Sequence, residues 1–109
     1  MSDLDVKIQD VANYWDYNMP MMAMEELAEA IQAISKVERA NDEFVRACEK
    51  GKEAEDKAWN KLNKCYDKFK DEVRDVYISL KALMYRYMID ESDIMERVEE
   101  KLNKKYKED

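Results

Sequence analysis

At 109 residues the chain is sized for a single domain spanning 1–109, so any site is built within one core or between copies of it, and a two-domain enzyme is excluded. A single Gly and a single Pro leave hairpins and sandwiches without turn residues, while good helix formers abound, which predicts an all-α fold. The net charge of −7 excludes a polymeric nucleic-acid partner, although a divalent cation can still bridge one nucleotide's phosphates to acidic side chains.

Ser2 with Asp3 and Asp5 reads as a capped helix start, and Val6, Ile8, Val11, Ala12 and Trp15 carry an apolar stripe to about Tyr17. Asn18-Met19-Pro20 breaks the pattern, with Pro20 where a first helical turn tolerates it. A second helix is expected from about Met21 to Ala40, its core line Met24, Leu27, Ile31 and Ile34. Charged residues and the sole Gly around 48–52 predict a helix end or loop. From Trp59 through Leu62, Tyr66, Phe69, Val73, Val76, Leu80 and Leu83 to Tyr87, steps of three and four predict one long helix with a continuous seam. Asp90 to Asp93 offers caps for a final amphipathic helix carrying Ile94, Met95, Val98 and Leu102, with a Lys-rich end. The expected architecture is a four-helix-bundle-like fold with one long helix, oligomeric because that seam exceeds what so short a chain easily covers.

The absence of histidine excludes Ser-His and Cys-His triads, His-containing zinc sites and Glu-x-x-His di-iron centres, leaving carboxylates for any acid-base or metal chemistry. Cys48 and Cys65 form no C-x-x-C pattern and read as free thiols of a reducing compartment. No uncharged stretch approaches the roughly 20 apolar residues of a bilayer span and the N-terminus is acidic, so a soluble cytoplasmic protein without a membrane partner is expected.

An acid-acid-x-x-acid pattern occurs twice, at Glu25-Glu26-Leu27-Ala28-Glu29 and at Asp71-Glu72-Val73-Arg74-Asp75. Spacing of three puts Glu26 beside Glu29 and Glu72 beside Asp75 on one helix face. With acids at 26 of 109 positions about one such triplet arises by chance, so context decides. Glu26 and Glu29 share a stripe with Met22, Ala30, Ala33 and Val37, too apolar for a plain solvent face; Glu72 and Asp75 share theirs with Cys65, Lys68, Ser79 and Ala82. If the stripes face each other, four carboxylates converge, and a proton or cation must offset their repulsion. Hard oxygen donors without His or paired Cys select Mg²⁺, with Mn²⁺ the alternative. The competing interpretation is a row of solvated i, i+3 charges paired with Lys or Arg.

Residues 25–36 (EELAEAIQAISK) followed by residues 71–78 (DEVRDVYI) resemble the EExxE…ExxD signature of MazG-like nucleoside triphosphate pyrophosphohydrolases, the all-α NTP pyrophosphatase superfamily, over about Val11 to Lys104. The resemblance implies an enzyme that cleaves an NTP or dNTP to the monophosphate and pyrophosphate. Glu26, Glu29, Glu72 and Asp75 would hold Mg²⁺, and Glu25 would contact metal or orient the attacking water. The family's basic K-x-x-R element on its last helix reads Lys101-Leu102-Asn103-Lys104 here, so Lys101 and Lys104 would bind phosphate without an Arg fork. The segment between the two motifs is longer than the family's short form, which reads as an extended helix hairpin, and Met19-Pro20-Met21-Met22-Ala23-Met24 replaces polar residues before the first motif. The resemblance also implies a homodimer or homotetramer.

Smaller signals have two readings each. Trp15 and Tyr14 suit base stacking or core packing, with packing favoured. Lys68, one turn before Glu72, suits a phosphate or a salt bridge to that carboxylate. The eight Met and Trp59 are expected in the core. The alternative to the enzyme is a catalytically silent helical oligomerisation or protein-interaction module.

Overall fold

The computed structural model describes residues 2–15 and 18–106, the side chains of Trp15 and Tyr106 excepted. Four helices follow one another, α1 (Asp3–Trp15), α2 (Met19–Ala47), α3 (Lys52–Arg86) and α4 (Glu91–Tyr106), with no strand among the described residues. The all-α expectation therefore holds. At the start of α1 the Asp5 N–H donates to Ser2 Oγ at 3.1 Å and the Ser2 N–H to Asp5 Oδ2 at 3.4 Å, a reciprocal cap built from the predicted residues. Pro20 sits in the first turn of α2. The Ser92 N–H donates to Asp90 Oδ1 at 3.3 Å, tying down the start of α4.

Two ends differ from expectation. α2 runs on to Ala47 because Phe44 packs its ring against Trp59, 5.3 Å between centroids, and Ala47 is buried. α3 starts seven residues earlier than its apolar seam, at Lys52. Gly51 makes the tight return with φ of 110°, where a side chain would be strained. α3 closes through Met88 at φ 57°, with the Ile89 N–H donating to the Met84 carbonyl at 2.8 Å and the Met88 N–H to the Tyr85 carbonyl at 3.2 Å.

The main contact is the antiparallel α2–α3 hairpin. Facing residues on α2 are Ala23, Glu26, Ala30, Ala33, Val37 and Ala40; on α3 they are Leu62, Phe69, Glu72, Ser79 and Ala82. This corrects the expected core lines. Met24, Leu27, Ile31 and Ile34 are 47 to 66% exposed, and from the α3 seam Trp59, Tyr66, Val73, Leu80 and Tyr87 are exposed while Leu62 is buried. Alanine explains the choice: a stripe without bulk lets two backbones approach closely over many turns, and Leu62 and Phe69 fill what remains. The methionines are likewise not all core. Met19 is fully buried, whereas Met21, Met24, Met88 and Met95 are exposed.

In an antiparallel pair, the position one residue after each facing residue lies on the same side of the hairpin in both helices, and the position one before lies on the other. One side therefore carries Met24, Leu27, Ile31 and Ile34 with Tyr66, Val73, Tyr77 and Leu80; the other carries Glu25, Glu29, Lys36 and Arg39 with Lys61, Lys68 and Asp75. α1 covers the open end of the polar side, where Ile8, Ala12, Met19, Ala23 and Ala82 form a buried cluster with Leu83 against it. The apolar side has no cover among the described residues. α4 has no extensive interface with the helices before it; Lys81 Nζ pairs with Glu91 at its first turn, and its stripe of Met95, Val98 and Leu102 stays exposed.

Candidate metal centre

The hairpin sets the site's geometry. Glu26 on α2 and Glu72 on α3 both occupy facing positions, so closing the hairpin drives the two carboxylates together, and Glu29 follows one turn along α2 on the polar side. One oxygen from each of Glu26, Glu29 and Glu72 lies within 4.8 Å of the others. Glu72 is 3% exposed, Glu26 half-buried and Glu29 exposed. The expected convergence thus occurs for three of the four acids. Asp75 stands beside them: its charge is felt by Glu26 and it lines a cavity of about 270 Å³ with Val11, Glu26, Ile78 and Ser79, while its own carboxylate accepts from Arg74 Nε at 3.1 Å.

Electrostatics mark the cluster as under-compensated. Burial pushes the Glu26 carboxyl above its ordinary value, with the charges of Glu29, Asp75, Glu72 and Glu25 adding in that order. Lys68 Nζ sits 2.9 Å from Glu72 Oε1, so of its two expected roles the salt bridge is the one observed, and that bond raises the Lys68 pKa. Even so, Glu26 Oε2 and Glu72 Oε2 are buried without a hydrogen-bond partner, and so is Ser79 Oγ. An unpartnered buried carboxylate oxygen loses its hydration with nothing in return. Solvated i, i+3 charges would show neither feature, since their oxygens face water.

An all-carboxylate donor set with two orphaned oxygens fits a hard divalent cation such as Mg²⁺ or Mn²⁺. Glu25 projects beside the cluster on the exposed polar side of α2. Lys101 and Lys104 lie on α4, apart from the α2–α3 hairpin, and are exposed. The Trp15 side chain lies outside the described residues; its neighbour Tyr14 is 86% exposed. Cys48 is an exposed and Cys65 a half-buried free thiol. No helix among the described residues is long and apolar enough to cross a membrane.

Further along the polar side, Lys36 and Arg39 on α2 face Lys61 and Cys65 on α3 across a groove of about 250 Å³. Motif spacing did not single these cations out, although Lys61, Lys64 and Lys68 recur at the three-and-four interval of a single helix face. No family model, curated protein or solved structure matches the chain.

Proposed function

We propose that the protein is a Mg²⁺-dependent nucleoside triphosphate pyrophosphohydrolase of the MazG-like type, acting on an NTP or dNTP. The observation that carries this reading is the meeting of Glu26, Glu29 and Glu72 across two helices with two buried oxygens left unpartnered, at the positions the signature names. Glu26, Glu29 and Glu72 would hold the cation, with Asp75 reorienting from Arg74 to complete the set. The ion, when bound, neutralises phosphate charge and raises the acidity of water. Glu25 accepts a proton from the attacking water; its oxygen bonds to the α-phosphorus as the bond to the α–β bridging oxygen breaks, leaving monophosphate and pyrophosphate. Lys68 supplies a cation at the cluster's edge, and Lys101 and Lys104 serve phosphate if α4 is brought over the hairpin. Trp15 is the candidate for stacking on the base. Two free thiols fit a cytoplasmic setting.

The apolar side of the hairpin supports a homodimer or homotetramer. Eight large side chains there, 39 to 66% exposed, offer on the order of 800 Å², about what one partner contributes to a standard interface. That surface is also what a silent helical interaction module would use. The deciding assay is pyrophosphate release from the eight common NTPs and dNTPs with Mg²⁺. Release from at least one, abolished by Glu72→Gln, is expected; silence across the panel with no Mg²⁺-dependent rise in melting temperature leaves the interaction module.

A further inference from the structure

We propose that the groove beyond the acidic cluster, lined by Lys36, Arg39 and Lys61, is a phosphate-chain subsite that takes the β- and γ-phosphates, the part that leaves as pyrophosphate. The proposal rests on the hydrolase reading and deepens it. The groove lies on the same side of the hairpin as Glu29, and Lys68 stands between the two, paired to Glu72 at 2.9 Å. Lys36 follows Glu29 by seven residues, a helical rise of about 10 Å that a triphosphate and a lysine side chain span together.

In a chain of net charge −7, three of the groove's lining residues, Lys36, Arg39 and Lys61, are cations and Glu43 is its one acid. Glu43 is already engaged by Lys61 at 2.8 Å. Among the described residues Lys36 and Arg39 form no ion pair, as is true of several other surface cations, and what sets these two apart is the groove they line together. Lys36 and Arg39, one turn apart on α2, are the unpaired cations of the groove, and Lys61 across from them is held by Glu43, so an entering anion meets two free positive charges and a third that is shared. The buried Ala40 and the half-buried Cys65 also line the groove, and Arg39 can present its planar fork to a phosphate. The acidic cluster needs a cation to accept phosphate; this groove does not.

The test is calorimetric titration of the full chain with inorganic pyrophosphate. Lys36→Glu with Arg39→Glu changes two exposed positions, with circular dichroism to check that the helical fold is retained, and Lys50→Glu in the turn between α2 and α3 is the charge control. The double variant is expected to weaken pyrophosphate binding at least tenfold and to raise KM for the triphosphate substrate more than it lowers kcat, while Lys50→Glu matches the unsubstituted chain. A double variant binding pyrophosphate as tightly as the unsubstituted chain, or an unsubstituted chain that does not bind it, overturns the subsite. Hydrolysis with unchanged pyrophosphate affinity removes the subsite and spares the hydrolase. Pyrophosphate binding through Lys36 and Arg39 without hydrolysis of any triphosphate upholds the anion site and overturns the hydrolase.

Discussion

Replacing Glu72 by Gln separates a metal centre from a structural acid, because the two make opposite demands on stability. Oxygens of Glu26, Glu29 and Glu72 lie within 4.8 Å of one another, so at an effective dielectric near 20 each charged pair repels by about 3.5 kcal/mol. Glu72 takes part in two such pairs. Two effects reduce the gain from neutralising it. The Glu26 carboxyl, pushed up by burial and by its neighbours' charges, takes part of the repulsion as a raised pKa, and Lys68 loses a partner. The lysine is 67% exposed, so water screens its end of the pair, although the Glu72 end is buried. Glu29 is exposed as well, which screens its share. A net stabilisation of roughly 1–3 kcal/mol remains for the metal-free variant, or a Tm higher by about 4 °C or more in a domain of this size. Mg²⁺ narrows the gap: at tenfold excess over Kd the unsubstituted chain gains about 1.4 kcal/mol, and the variant gains little. Paired thermal melts followed by circular dichroism, in EDTA and in Mg²⁺, read both arms. A variant melting below the unsubstituted chain in EDTA, or keeping its full Mg²⁺ response, refutes the reasoning.

Three further outcomes are expected. The folded chain holds the Glu26 proton more tightly than the unfolded chain, so the stability this group contributes is fully present below its ordinary value of 4.5 and is lost as pH rises through the higher folded value; in EDTA, Glu26→Gln should flatten that part of the denaturation-versus-pH curve, and an unaltered slope counts against the shift. On the apolar side, Leu27→Glu with Ile31→Glu should yield monomers by analytical ultracentrifugation with the helical spectrum retained, because both side chains are exposed within the protomer; association unaffected by the pair would place the interface elsewhere. Met88 adopts a left-handed conformation that costs an L-residue about 1–2 kcal/mol, offset in part by the freedom glycine adds to the unfolded chain, so Met88→Gly should raise stability by up to about 1 kcal/mol in urea denaturation, and a loss would show that the side chain packs productively.

Local rules were enough to place four helices. Ser2 and Asp5 cap α1, Pro20 opens α2, Gly51 supplies a backbone angle other residues avoid, and Asp90 starts α4; each acts within a few residues, so chain order reveals it. Spacing of three also dictated that Glu26 and Glu29 share a face, and likewise Glu72 and Asp75. Periodicity does not say which of two adjacent stripes turns inward. Met24, Leu27, Ile31 and Ile34 carry more hydrophobicity, yet the alanine stripe faces α3, since close approach of two long helices depends on small side chains at every contact along both. That choice of partner face exists only once both helices are present. It buries Glu72, orphans its oxygen and that of Glu26, and leaves Asp75 to one side. It also turns the larger apolar residues outward and lines Lys36, Arg39 and Lys61 along a common groove, because residues distant in sequence share a side of the hairpin only through the register in which α2 and α3 meet.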